Sequence, residues 1–173
     1  MIRSTGLCRP ARRRAFLPSL VVSLAAIAVF GVSGASAAGN GPSATGSGHF
    51  SAGGALRTFA FNAITHGDGT VTGQAQVNNR GIPGTTPGTD HINVDCLQVV
   101  GNTAYVSGTI TKSSTASLVG DSGVFSVRDN GQGAKSPPDQ ISLVFFFLPF
   151  PQLCRVVHPT PNQQIDGGNV QVH

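Results

Sequence analysis

The 173-residue chain contains no Glu and no Trp, a single Tyr and a single Met, and only 10% charged residues. A chain so short of charge and so rich in Gly, Thr, Ser and Asn is a poor source of amphipathic helices. Several spacings that build common sites are also missing. No C-x-x-C and no H-x-x-x-H pair occurs, which removes zinc sites built from one element. No G-x-S-x-G occurs either; Val119-Gly120-Asp121-Ser122-Gly123 comes nearest, with its Ser out of register for a nucleophile elbow. Beyond the amino-terminal segment the strongest apolar run is Leu143 to Phe150. It is far shorter than the ~20 residues a spanning helix needs, and Pro149 and Pro151 break it.

What is present begins with a leader. Arg3, Arg9, Arg12, Arg13 and Arg14 precede the apolar stretch Ala15 to Phe30, and Ala35-Ser36-Ala37 offers the small-x-small pattern that a signal peptidase reads. Residues 1–37 are therefore expected to be a signal peptide, exported by the general secretory or the twin-arginine route, the latter suggested by Arg13-Arg14-Ala15-Phe16-Leu17. Its removal takes five of the eleven basic residues and none of the seven acidic ones, leaving a net charge of −1. The pI of about 9.5 thus belongs to the leader. Without a cluster of cations in the folded part, the electrostatic case for nucleic acid or anionic membrane falls away. No membrane span is expected after cleavage, and the mature protein is expected outside the cell.

Cys8 leaves with the leader. Cys96 and Cys154 remain, and an even pair in an exported chain predicts one disulfide.

Turn signals recur at short intervals along the rest. Residues 38–48 read as a flexible Gly/Ser/Pro-rich N-terminus, followed by one domain over 49–173. Val71, Gly73, Ala75 and Val77 alternate with Thr70, Thr72, Gln74 and Gln76, a period of two that buries one face and wets the other. With Phe59–Ile64 and the turn His66-Gly67-Asp68-Gly69 this predicts a hairpin. His91–Val100 and Thr103–Thr111, joined at Gly101-Asn102, predict a second. Leu97, Val99 and Val100 make the first of these strands apolar on both faces, so a bulge or two-sided burial is expected there. Val124–Arg128, the buried Ile141–Leu148 and a short closing strand at Asn169–His173 complete seven or eight strands. The expected class is all-β, an antiparallel β-sandwich or small closed β-barrel.

Candidate chemistry is sparse. Asp129, Asn130 and Asp139 present oxygen ligands on a tight loop and are the calcium candidates, although the loop lacks the twelve-residue calcium pattern and suits an ordinary turn. The histidines are scattered; His91 with Asp95 should share a strand face, and His66 sits at a turn with Asp68. No cofactor is implied. Phe145 and Phe147 either line a ligand cavity inside a barrel or fill its core and pack beneath Pro149–Pro161.

The elements Gly48-His49-Phe50, Phe59-Ala60-Phe61-Asn62, Cys96-Leu97, Gly101-Asn102-Thr103-Ala104, Gly108-Thr109-Ile110 and Phe125-Ser126-Val127-Arg128-Asp129-Asn130-Gly131 resemble a group of small secreted bacterial proteins common in actinomycetes. They are also similar to the post-COAP β-domain appended to larger exported bacterial proteins. The resemblance spans roughly residues 46–148 and implies an all-β extracellular module with no catalytic residues to transfer. The tail from Gln152 to His173, with Cys154, departs from the appended form and suggests a free-standing version closed by its own disulfide. The expected function is a secreted, non-catalytic module that binds an extracellular carbohydrate, protein or small molecule. The alternatives are a carrier of the lipocalin or avidin type and an extracellular hydrolase or isomerase, which needs Asp or His side chains converging in a cleft.

Overall fold

The computed structural model describes residues 41–173 except 82–86 and 134, so the expected leader lies outside the described residues. Ten strands follow one another: β1 (Ser43–Ala52), β2 (Ala55–Thr65), β3 (Val71–Asn79), β4 (Gly88–Val100), β5 (Thr103–Ser113), β6 (Ser122–Arg128), β7 (Gln140–Ile141), β8 (Phe145–Phe147), β9 (Gln163–Gln164) and β10 (Gly167–Val172). Helical structure in the described residues is limited to two single turns, Ala116–Leu118 and Leu153–Arg155. None is long and apolar enough to cross a membrane.

All pairings are antiparallel. The strand order is β10-β1-β2-β3-β4-β5-β6-β7-β9, with β8 beside β6. The two ends of this order do not pair with each other, and the sheet curls into a half-barrel. Its curl is read from the aromatic core: Phe61 on β2 meets Phe125 on β6 edge to face at 5.4 Å, although three strands separate them in the sheet. Phe59 extends the cluster to Phe50 and Phe61 at 6.1 and 6.3 Å. Ile92, Val94, Val106, Ile110, Val127 and Val170 pack around it. Gly108 lets β5 approach the β4 backbone closely here, because a Cβ at this position would lie 2.0 Å from the Asn93 carbonyl oxygen.

Both predicted hairpins form; the two-faced strand has its bulge, but two-sided burial reaches only Cys96 and Leu97, while Val99 is half-buried and Val100 exposed. The β4–β5 register shifts between His91 and Ile92 and again between Val94 and Cys96, and Leu97 is buried. The segment after β8 covers the outward side of β4, β5 and β6. Cys154 is bonded to Cys96, its N–H donates to the Ser107 hydroxyl at 3.0 Å, and the Ser126 hydroxyl donates to the Pro159 carbonyl at 2.7 Å. Ser107, Val124 and Ser126 are fully covered as a result.

Two expectations are corrected. Residues 38–48 were expected to be flexible, yet Ser43 onward is strand β1, paired with β2 and with β10. Its small residues face the core: a Cβ on Gly46 would sit 2.7 Å from the Phe61 ring. The buried strand expected over Ile141–Leu148 is split. Ile141 and Ser142 are buried, whereas Phe145, Phe146, Phe147 and Leu148 are exposed on the short β8. The break falls at Ser142, whose hydroxyl accepts the Ser126 N–H and donates to the Leu143 carbonyl, occupying the ladder positions that a continuous strand would use.

The Cys96–Cys154 bond closes a separation of 58 residues. Cys154→Ser is expected to lower unfolding free energy by about 4 kcal/mol. Urea titration of the oxidised protein against this variant checks it, and an unchanged midpoint would mean that the tail is held by its hydrogen bonds alone.

Candidate functional site: a polar face across six strands

Alternation along each strand sends every second residue away from the core, and the registers align these residues into rows. One row runs Gln171, Thr45, Asn62, Gln74, Asn93, Thr109 across β10, β1, β2, β3, β4 and β5. The next runs Asn169, Ser47, Ala60, Gln76, His91, Lys112 across the same strands, with Thr111 bulged out beside Lys112. Five inter-strand spacings give each row a length of about 24 Å.

The rows line an open groove of about 760 Å³. Six of its side chains are carboxamides, and Lys112 is the one formally charged member of the two rows. Two of the six have partners among the described residues: Asn62 accepts the Gln74 N–H at 3.0 Å, and Asn169 accepts from the Gln132 amide at 3.2 Å. Gln74, Gln76, Asn93 and Gln171 are exposed, and their side chains make no hydrogen bond among the described residues. A carboxamide both donates and accepts, so such a face matches neutral ligands that do the same.

The expected calcium residues are brought together, with a different task. Asp139 is buried; one carboxylate oxygen accepts the Asn130 N–H at 2.9 Å and the other accepts the Val170 N–H at 2.8 Å. Asp129 accepts the Gly131 N–H at 2.8 Å and the Val172 N–H at 3.2 Å. Val170 and Val172 turn their N–H groups to the edge of β10 that has no strand partner among the described residues. The two carboxylates therefore stand in for a missing strand, joining β10 to the β6–β7 connection. Asn130 contributes its side-chain N–H to the Pro138 carbonyl at 2.7 Å. Among the described residues no group of three or more His, Cys, Asp or Glu side chains converges as a metal site would require.

The chain matches no family model, no curated protein and no solved structure.

Phe145 and Phe147 do not line the groove; both stand on the exposed edge strand β8, and the half-barrel interior is filled by Phe50, Phe59, Phe61 and Phe125. The segment Pro149–Pro161 seals Ser107, Val124 and Ser126, whereas Phe145 and Phe147 keep 47 and 40% of their surface exposed. His66 bonds Thr72 at 2.7 Å, and Asp68 accepts both the hydroxyl and the N–H of Thr70, which holds its carboxyl below the ordinary range, with His66 adding to the effect. These contacts brace the β2–β3 turn. His158 stacks on Tyr105 at 4.5 Å and bonds Gln98 at 3.0 Å, tying the tail to β4 and β5. Asp95 occupies the bulge between Val94 and Cys96, where desolvation raises its carboxyl above the usual 3.8, even though the side chain keeps an exposed surface. The polar rows escaped sequence reasoning. Their one visible signal was the wetted positions Thr72, Gln74 and Gln76, and only register aligns these with residues on five other strands.

Two predictions concern the carboxylates. Asp139→Ala strands two N–H groups at the seam and should destabilise the protein by about 3 kcal/mol or more. Amide exchange would show the loss first at Val170, and equal exchange in variant and parent would refute the seam's role. Asp95 binds its proton more tightly folded than unfolded, so ionisation opposes folding as pH rises from 3.8 through the raised value. Asp95→Asn should therefore raise the unfolding free energy at neutral pH by less than about 1 kcal/mol given solvent screening, read as a higher melting temperature, with no gain once pH falls below 3.8. A gain that persisted in acid would contradict this linkage.

Proposed function

We propose that the chain is an exported, non-catalytic β-domain that binds a neutral, hydroxyl-rich ligand, an extracellular glycan, along the polar rows of β10 and β1 to β5. The observation that carries this reading is the chemical uniformity of the groove: six of its lining side chains are carboxamides, all exposed, and no Lys, Arg or Asp among the described residues lines it. Sugar hydroxyls donate and accept in the same way, so each can satisfy a carboxamide without desolvating a charge. A charged ligand meets no cluster of opposite sign there, and a flat apolar one meets no exposed aromatic ring. Strands held on both sides present these side chains with little ordering left to do on binding.

Export is supported by the leader pattern over residues 1–37 and by the Cys96–Cys154 bond, since disulfides persist in oxidising compartments. A lipocalin-type carrier would need a hollow interior, where here four phenylalanines pack. A hydrolase would need free carboxylates in a cleft, whereas Asp129 and Asp139 hold backbone donors.

The purified protein should bind one class of neutral oligosaccharide on a glycan array. Isothermal titration of that ligand should weaken about 30-fold in the double variant Gln74→Ala, Asn93→Ala, two lost hydrogen bonds of about 1 kcal/mol each. Because both side chains are exposed, the melting temperature should not move. An array without neutral-glycan signal, or a variant that binds as tightly as the parent, disproves the assignment.

A further inference from the structure

The second unusual surface lies on a different part of the sheet. Phe145, Phe146 and Phe147 form β8, which pairs with Val124, Gly123 and Ser122 of β6 and, among the described residues, with no strand on its other edge. Their exposures are 47, 39 and 40%, and Leu148 and Phe150 follow at 80 and 50%. At about 200 Å² per phenylalanine, these side chains present on the order of 500 Å² of apolar surface. Isolated exposed apolar residues need no explanation, but a contiguous patch of this size beside an open strand edge marks an interaction site.

Three observations select the occupant. First, aromatic rings lie on both faces of β8: Phe146 shares a side with Gly123, whose Cβ would point at Ile92 in the core, while Phe145 and Phe147 share the side of Val124 and Ser122, toward the tail. A partner that packs on one face covers half of them; a strand added at the edge covers both. Second, the edge carries backbone donors and acceptors that no strand pairs among the described residues. Lipid cannot satisfy these, whereas another strand can. Third, the patch is self-complementary. Antiparallel pairing of β8 with a second β8 about a two-fold axis places Phe146 opposite Phe146 and Phe145 opposite Phe147, with no like charges among the paired residues. Two such patches together offer on the order of 1,000 Å², the lower bound for a specific interface.

We propose that β8 is a dimerisation edge: two copies of this chain join through antiparallel β8–β8 pairing centred on Phe146, leaving the polar groove of each copy free. Sedimentation velocity of the full chain over a concentration series should reveal a reversible dimer. Phe146→Lys should weaken association at least about tenfold while leaving the circular dichroism spectrum unchanged, because Phe146 lies outside the core cluster. A second variant guards against a trivial loss: Phe146→Cys should form a disulfide-linked dimer under mild oxidation, reversed by reductant, as only a pairing with this residue on the axis allows. A protein that stays monomeric throughout, a Phe146→Lys dimer as tight as the parent's, or failure of Phe146→Cys to cross-link would overturn the proposal. So would flotation of a monomer with phosphatidylcholine vesicles that Phe146→Lys abolishes, which would assign the patch to lipid instead.

Discussion

A sheet that curls without closing leaves a row of backbone donors at its last strand, and a buried N–H without an acceptor is among the most destabilising defects a small domain can carry. Here the last strand is β10, and the acceptors are two carboxylates. Asp139 takes the Val170 N–H and Asp129 the Val172 N–H, while the Asp139 carbonyl accepts from Ile165. Asp139 thus joins β6, β7, β9 and β10 through one residue. Everything on the open side of the half-barrel depends on this seam: it sets where β10 runs, and β10 in turn carries Gln171 and Asn169 to the end of the two polar rows. A carboxylate suits the task because it offers two acceptors and needs no donor in return.

The sheet is divided into halves with different surroundings. On β6, and on the halves of β4 and β5 that carry Cys96 and Ser107, the outward side is sealed by the tail, held by the Cys96–Cys154 bond and by the hydroxyls of Ser107 and Ser126. On β10, β1 to β3 and the His91–Asn93 and Thr109–Lys112 stretches of β4 and β5 the outward side is wet, and small or amide side chains predominate. Strands buried on both faces need not alternate, and in β6 Val124, Phe125 and Val127 are all buried together with the hydrogen-bonded Ser126; strands with one wet face must alternate. The groove belongs to the wet half, and its rigidity derives from the covered half beside it.

Much of this organisation was legible in the sequence. Alternation and glycine turns located both long hairpins, the loss of alternation at Leu97–Val100 announced the bulge and, as far as Leu97, the two-sided burial, and cysteine parity gave the disulfide. What escaped had physical causes. β1 was hidden because its inward positions are so small: Ala44 and Gly46 lie beneath Phe61 and Val170, and the glycine that reads as a flexible lead-in is the residue that close packing demands. The phenylalanine run read as core because hydrophobicity measures the wish to be covered and says nothing of whether a neighbour is at hand; β8 sits at an edge with only one. Asp129 and Asp139 looked like ligands for an ion because a carboxylate that caps backbone amides across 30 or 40 residues has the same local sequence as one that does not.

β1 and β10 run side by side, and Ser43 exchanges two backbone hydrogen bonds with His173, at 2.9 and 2.8 Å. The described polypeptide is therefore topologically close to a ring. A few residues would bridge that gap, and the chain could then be opened at an exposed connection such as Gly101-Asn102 with every strand still in its place, giving circularly permuted forms in which either margin of the groove carries the point of attachment.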